Sequence, residues 1–200
     1  MRRISMLAVC ALALPASAFA STEGTYLSAN GGVSLLPDLD FKSTASGAHS
    51  ENFDTGYLLG GSAGYDYGNG WRVQFDSQYT HQNVSDLGGA AATGHLSSTS
   101  LVIGAQKDLI DNAAFTPYVG AGIGLQNVGG DIDGYTGRAW KPAYQAEAGL
   151  RSDLTQNVSL YGEYRFSQSE SASLDDGTDV AHQHFSDHGL MAGLTYHLGQ

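Results

Sequence analysis

The stretch that decides the fold is Trp71-Arg-Val-Gln-Phe-Asp-Ser-Gln-Tyr79, in which apolar and polar residues alternate almost strictly. Successive side chains of a β-strand point to opposite faces, so a period of two predicts a strand with one apolar and one polar face. The polar face would carry Arg72, Gln74, Asp76 and Gln78. A sheet built from such strands separates apolar side chains from charged ones.

The same alternation returns along the rest of the chain, while helical periodicity is almost absent. Each segment is about ten residues long, which is enough to cross the hydrocarbon of a bilayer when the strand is tilted. With Trp71–Tyr79, the sequence therefore predicts eight strands. The other seven segments are residues 26–35, 57–67, 97–107, 115–125, 144–151, 158–166 and 190–198.

The lengths of the connections indicate how these strands are arranged. Short connections (68–70, 108–114 and 155–157) alternate with long ones (36–52, 83–95, 127–141 and 168–184). This sorting is typical of membrane barrels, in which short turns face the periplasm and long loops face outward. We therefore expect an all-β fold, an eight-stranded antiparallel up-and-down transmembrane β-barrel, with both termini on the periplasmic side.

The first twenty residues predict a secretory signal peptide. Arg2 and Arg3 precede an apolar run over residues 4–16, and Ala18-Phe-Ala20 supplies small residues at a cleavage site. The expected domain organisation is thus a removed signal peptide, residues 1–20, followed by a barrel domain, residues 21–200. Cys10, the chain's single cysteine, would leave with the signal peptide.

The composition excludes several classes of function. Nine Lys and Arg against 20 Asp and Glu argue against nucleic-acid binding, which needs clustered positive charge. One cysteine excludes a disulfide framework, and no Cys/His spacing indicates a zinc site. A mean hydropathy of −0.19 does not indicate solubility here, because it averages an apolar and a polar face of each strand. We expect no cofactor.

Three segments carry a resemblance to a known family: Phe115-Thr-Pro-Tyr-Val-Gly-Ala-Gly-Ile-Gly124, residues 149–166, and Gly189-Leu-Met-Ala-Gly-Leu-Thr-Tyr-His-Leu198. The chain resembles the small outer-membrane β-barrel proteins of Gram-negative bacteria, the OmpX, opacity-protein and surface-antigen group. The resemblance implies a place in the cell outer membrane, and roles in envelope integrity, adhesion or surface interaction without catalysis. The implied partners are outer-membrane lipid and lipopolysaccharide, the barrel-assembly machinery and a host or surface ligand.

The last strand is the expected assembly signal. The family usually ends on an aromatic residue that the assembly machinery reads, whereas here Leu198 occupies that register and Gly199 and Gln200 follow. The alternation before it is intact, so we still expect assembly. The expected signal comprises Leu190, Ala192, Leu194, Tyr196 and Leu198.

The polar face predicts a charge network inside the barrel. A hairpin symmetric about Gln156 would place Glu147 opposite Arg165, and a turn centred on Asn69 would place Asp66 opposite Arg72. Interior ion pairs of this kind would plug a narrow barrel, and the alternative is a porin-like channel for small solutes. The candidate residues are Asp66, Arg72, Asp76, Glu147, Arg151, Glu163 and Arg165.

The remaining candidates lie near the fourth long connection. His182, His184 and His188 could hold a transition metal, although a polar rim explains them equally. Ser186, Asp187 and His188 are adjacent, so they would alternate between faces and could not form a catalytic relay. A lipid A-modifying enzyme is therefore the third alternative. The acidic connections 36–52 and 168–184 could bind a host surface or cations that bridge lipopolysaccharide.

Overall fold

A computed structural model describes residues 23–35, 56–84, 94–110, 114–132, 135–169, 174–175, 180–181 and 185–198. No helix in these residues is long and apolar enough to span a membrane. The strands are β1 (Gly24–Leu35), β2 (Gly56–Asp66), β3 (Trp71–Val84), β4 (Gly94–Asp108), β5 (Thr116–Ile132), β6 (Tyr135–Asp153), β7 (Val158–Ser169), β8 (Leu174–Asp175), β9 (Val180–Ala181) and β10 (Phe185–His197).

Eight of these strands form a closed antiparallel barrel in the order β1-β10-β7-β6-β5-β4-β3-β2. The predicted eight-stranded barrel is thereby confirmed. The short strands β8 and β9 form a separate two-stranded sheet, and among the residues that the structure describes they pair with no other strand.

The barrel is apolar outside and polar inside, the reverse of a soluble protein. Ile123 is 75% exposed on the outer face, whereas Glu147 is 5% and Arg165 4% exposed. The period of two along each strand produces this sorting, because every second side chain points into the bore.

Aromatic side chains lie at both ends of the outer face. Tyr65 and Tyr67 lie at the end with the short turns, with ring centroids 5.1 Å apart. Near them, Lys107 Nζ lies 5.4 Å from the ring centroid of Trp71. Tyr79 and Tyr144 are exposed toward the other end. Two such bands are expected where a barrel meets the two membrane interfaces.

The β2–β3 turn shows how a short connection reverses the chain. Gly68 and Gly70 have φ angles of 69° and 78°, which glycine adopts without steric cost. The backbone N–H of Tyr67 donates to the carbonyl of Trp71 at 3.0 Å, and the N–H of Gly68 donates to Asp66 Oδ1 at 2.8 Å. This turn sets the register in which Asp66 stands opposite Arg72.

The prediction of a long third connection over residues 127–141 was wrong. β5 continues to Ile132 and β6 begins at Tyr135, and these two residues pair. The alternation of apolar residues stops near Leu125 because a strand outside the hydrocarbon needs no apolar face. The backbone hydrogen bonds between β5 and β6 nevertheless continue, because they do not depend on the side-chain pattern.

Other strand ends also extend beyond the sequence-based bounds. β3 runs to Val84 and β4 begins at Gly94, which shortens the second connection from both sides. β10 begins at Phe185 rather than at position 190. The residues between β1 and β2, 36–55, lie outside the described part of the chain, as does the predicted signal peptide.

Candidate functional site: the charged interior of the barrel

Arg165 is the centre of the larger of two ion-pair clusters in the bore. Its Nη2 lies 2.7 Å from Glu163 Oε1, 3.2 Å from Glu147 Oε2 and 3.6 Å from Asp76 Oδ1. Its Nη1 donates to Gln78 Oε1 at 2.9 Å. β7, which carries Arg165, and β3, which carries Asp76 and Gln78, are diametrically opposite in the closed strand order. The guanidinium therefore joins opposite walls of the barrel.

Amide groups add hydrogen bonds to two of the three carboxylates around Arg165, whose single positive charge cannot neutralise all three. Gln106 Nε2 donates to Glu147 Oε1 at 2.7 Å. Gln74 Nε2 lies 3.0 Å from Asp76 Oδ2 and 3.3 Å from Glu147 Oε1, so it donates to both. Buried carboxylates are costly unless they are paired and hydrogen-bonded, and these neutral donors supply what one guanidinium cannot.

A tyrosine layer adds further hydrogen bonds. The Tyr118 hydroxyl donates to Glu163 Oε2 at 2.8 Å, and the Tyr26 hydroxyl donates to Gln74 Oε1 at 3.0 Å. These rings belong to β5 and β1, so the cluster receives side chains from several strands of the barrel.

The second cluster lies nearer the short turns. Arg151 Nη2 is 3.0 Å from Asp108 Oδ2, and its Nη1 is 3.6 Å from Asp66 Oδ2. Arg72 Nη2 is 2.8 Å from Asp108 Oδ1. β6 and β2, which carry Arg151 and Asp66, are again diametrically opposite. The bore is thus crossed by ion pairs at two levels.

A small cavity separates the two clusters. The cavity measures about 10 Å³, and its lining includes Arg72, Gln106, Arg151, Glu163 and Arg165. This is roughly the space of a single water molecule. Side chains therefore fill the bore at this depth.

The structure brings all seven predicted interior residues into the bore, and both predicted cross-strand pairs stand opposite each other in the register. Glu147 and Arg165 are opposite each other in the register and also interact. Asp66 and Arg72 are also opposite in the register, and Arg72 forms a further ion pair with Asp108 on the neighbouring strand β4. Strands of a barrel are tilted and staggered, so an inward side chain can meet a diagonal neighbour.

The sequence interpretation missed Asp108, which links Arg72 to Arg151. It placed this residue in a turn, although Asp108 continues the alternate positions of Gln106 in β4 and is buried. It also missed the role of the buried glutamines, because an amide signals neither charge nor hydrophobicity.

Of the three histidines predicted as metal ligands, the structure describes one, His188. His182 and His184 lie outside the described residues. The His188 ring lies on the outer surface, with its Nδ1 2.5 Å from the Tyr164 hydroxyl and its centroid 5.1 Å from that of Phe166. In the described parts of the chain, no group of three or more His, Cys, Asp or Glu side chains could hold a metal ion.

Asp187 points away from its neighbour His188. It is buried inside the barrel, where the Ser34 hydroxyl donates to it, and Gln82 Nε2 donates to Ser34 Oγ at 2.6 Å. Ser186, Asp187 and His188 therefore do not form a relay.

The last strand presents one face outward. Leu190, Leu194, Tyr196 and Leu198 are all exposed there, and Ala192 shares that face. The strand closes the barrel by pairing with β1 and β7.

Comparison with known proteins gives the family. Residues 6–197 match the model of the outer membrane protein beta-barrel domain. The chain belongs to this family. It is therefore an outer-membrane β-barrel protein, and its apolar outer face contacts membrane lipid. A search of curated proteins found no match.

Solved structures share the fold at low sequence identity. Neisserial surface protein A is 19% identical with a TM-score of 0.59, covering 88% of this chain and 97% of its own. OprG of Pseudomonas aeruginosa is 14% identical with a TM-score of 0.52, covering 90% of this chain and 100% of its own. Ail, the attachment invasion locus protein of Yersinia pestis, was solved with the heparin analogue sucrose octasulfate. It is 16% identical with a TM-score of 0.50, covering 89% of this chain and 100% of its own.

Proposed function

We propose that the protein is a non-catalytic, non-conducting outer-membrane protein with a structural or surface-interaction role, in envelope integrity or adhesion. The observation that supports this proposal is the pair of ion-pair bridges across the bore, Arg165 to Asp76 and Arg151 to Asp66. An eight-stranded barrel is just wide enough for side chains to fill, so two bridges at different depths leave no solute path.

Conductance across a planar bilayer tests the closed bore. The wild-type protein is expected to give no conductance steps. The variant Arg165→Met combined with Glu147→Gln and Glu163→Gln removes the larger bridge without leaving unpaired carboxylates at 147 and 163, and it is expected to raise conductance. Ile123→Leu, on the outer face, is the control. Conductance steps from the wild-type protein would instead support a channel for small solutes.

In the proposed surface role, the long connections between the strands are the parts of the protein that contact a ligand. In this proposal both termini are periplasmic, and the acidic segments 36–52 and 168–184 face outward. The structural similarity to Ail supports a surface ligand as a class, because long loops on a rigid barrel are a common binding platform. An epitope tag within residues 36–52 should be accessible to antibody on intact cells, whereas a tag at the carboxyl terminus should not. The opposite labelling would contradict the orientation.

A deletion strain separates the remaining roles. Loss of surface binding or increased envelope permeability would support the proposal. A change in the lipid A mass spectrum that is restored by the wild-type gene would instead support a lipid-modifying enzyme.

The proposal also includes the route to the membrane. Residues 1–20 would be removed as a signal peptide, and the outward face of the last strand, which ends in Tyr196 and Leu198, would be read by the barrel-assembly machinery. Lipopolysaccharide would surround the outer half of the barrel. Mass spectrometry of the purified protein should give a mature chain that begins near Ser21, and a chain retaining residues 1–20 would contradict cleavage.

A further inference from the structure

The turn between β2 and β3 has a positive charge on one side and a negative charge on the other. Lys107 Nζ donates to the carbonyl oxygen of Asn69 at 2.9 Å. Glu23 lies against the preceding residue, since a Cβ atom on Gly68 would be only 3.3 Å from Glu23 Cβ and 3.8 Å from Glu23 Oε2. An ammonium group and a carboxylate therefore lie beside consecutive residues of one turn.

Aromatic side chains flank both charged groups. The Tyr65 hydroxyl donates to Glu23 Oε1 at 3.3 Å, and the rings of Tyr65 and Tyr67 are 5.1 Å apart. On the other side of the turn, Lys107 Nζ lies 5.4 Å from the ring centroid of Trp71. These exposed rings form part of the aromatic band described above, so both charges lie where lipid headgroups meet the barrel.

Both charged side chains belong to the outer face of the barrel. Lys107 pairs with Trp71 across β3 and β4, and residues directly opposite each other in a sheet point to the same face. The hydrogen bond with the outward Tyr65 brings the carboxylate of Glu23 to that face as well. The two charges are therefore presented to the membrane interface rather than to the bore.

Each charged group has more hydrogen-bonding positions than its contacts with the described residues occupy. A lysine ammonium has three N–H donors, and the bond to Asn69 uses one of them. A carboxylate accepts about four hydrogen bonds, and the Tyr65 hydroxyl supplies one to Glu23. The turn therefore offers donors for an anion beside acceptors for a cation.

The headgroup of phosphatidylethanolamine has the complementary chemistry, a phosphate joined by a short linker to a primary ammonium. Lysine–phosphate and ammonium–carboxylate contacts are both charge-assisted hydrogen bonds, and tyrosine rings attract a cation. The quaternary ammonium of phosphatidylcholine has no N–H to donate to Glu23. Phosphatidylglycerol has the phosphate but no positive charge, so Glu23 would repel it. Charge complementarity thus favours the ethanolamine headgroup over the other two.

We propose that the β2–β3 turn, with Lys107 and Glu23, is a docking site for the headgroup of phosphatidylethanolamine. The phosphate binds Lys107, and the ammonium binds Glu23 beside the ring of Tyr65. The site extends the lipid contact of the outer face from acyl chains to one headgroup chemistry. Its place in the periplasmic leaflet rests on the orientation in the proposed function, whereas the headgroup preference does not depend on that orientation.

The chain contains its own reporter for this site. Of its two tryptophans, Trp71 lies beside Lys107, whereas Trp140 is exposed toward the other end of the barrel. The variant Trp140→Phe leaves Trp71 as the reporter, and Trp71→Phe leaves Trp140 as a matched reporter away from the site. The mature barrel is placed in phosphatidylcholine vesicles with a minor fraction of a lipid whose brominated acyl chains quench nearby tryptophan. The brominated lipids differ only in the headgroup, which is phosphoethanolamine, phosphocholine, phosphoglycerol or, in diacylglycerol, absent.

Quenching of Trp71 should give phosphatidylethanolamine a binding constant about threefold or more above those of the other three lipids, the size expected of exposed charge contacts. Trp140 should show no such preference. Glu23→Gln should abolish the preference for the ethanolamine over the choline headgroup. Lys107→Gln should abolish the preference for phosphatidylethanolamine over diacylglycerol, which lacks the phosphate. Lys141→Gln, next to Trp140, is the charge-matched control and should leave every preference at Trp71 unchanged.

Equal constants for the ethanolamine and choline headgroups at Trp71 would overturn the proposal, and so would a higher constant for phosphatidylglycerol. An unchanged preference in the Glu23→Gln variant would also overturn it. The same preference at Trp140 would assign the effect to the vesicle as a whole rather than to this turn. Quenching in vesicles does not depend on the orientation of the barrel in the cell or on conductance, so failure of this inference is distinguishable from failure of the proposed function.

Discussion

Tyr118 stands directly opposite Gly149, and its phenol ring occupies the space that a side chain at position 149 would need. The two residues pair across β5 and β6, and a Cβ atom on Gly149 would lie 2.5 Å from Tyr118 Cζ. Two further inward tyrosines stand opposite glycines in the same way. These are Tyr26 opposite Gly64 and Tyr161 opposite Gly193.

Gly149→Ala is therefore expected to destabilise the barrel by about 1–3 kcal/mol, because the added methyl group must displace a ring that is hydrogen-bonded to Glu163. Gly162→Ala is the control. Its Cβ would find only the Met191 carbonyl oxygen, at 4.0 Å, so its effect should stay within about 0.5 kcal/mol. Urea unfolding in lipid vesicles measures both. Equal stability of the two variants would show that the Tyr118 ring can keep its place without glycine at position 149.

Arg165 and Glu147 should differ in their effects on stability. Arg165→Met leaves Glu147, Glu163 and Asp76 without their shared guanidinium and should cost about 3–5 kcal/mol. Glu147→Gln leaves Arg165 paired with two other carboxylates and should cost less, about 1–2 kcal/mol.

A double-mutant cycle tests their interaction. The double variant should be more stable than the sum of the two single losses predicts, because the glutamine removes one unneutralised carboxylate. Strict additivity would contradict a direct interaction between the two side chains.

Depth in the membrane should decide the effect of a lysine on the outer face. Ile123→Lys places a cation near the middle of β5 and should cost about 2–4 kcal/mol in a bilayer. Asn127→Lys, on the same face of the same strand but nearer the interface, should cost at most about 1 kcal/mol. Unfolding measured in vesicles compares them, and equal costs would be inconsistent with the position of the apolar band.

A closed barrel should also resist detergent. Unboiled protein is expected to migrate differently from boiled protein in a dodecyl sulfate gel, because the paired strands stay folded until heated. The Arg165→Met variant should convert to the unfolded position at a lower temperature than wild type. Identical migration of boiled and unboiled wild-type protein would count against the barrel.

The membrane-spanning part of the fold could be predicted because the hydrocarbon imposes a period of two on every strand. Residues 71–79 and 158–166 follow that pattern, and strands form there. Residues 127–132 do not, since outside the bilayer either face of a strand can be polar, and the continuation of β5 was missed. The register of Glu147 and Arg165 followed from a symmetric turn. The contact of Arg72 with Asp108 depends on barrel stagger, which local sequence does not encode.

The seam between β1 and β10 joins the two ends of the folded chain. Ser28 Oγ and Thr195 Oγ1 are 2.9 Å apart although 167 residues separate them. Without β10, both β1 and β7 would expose unpaired backbone groups to hydrocarbon, which cannot satisfy them. A chain that lacks β10 thus has no smaller closed barrel that it could adopt. Closure of the barrel in the membrane therefore requires the final strand, and truncation within β10 should lead to proteolysis rather than to a seven-stranded product.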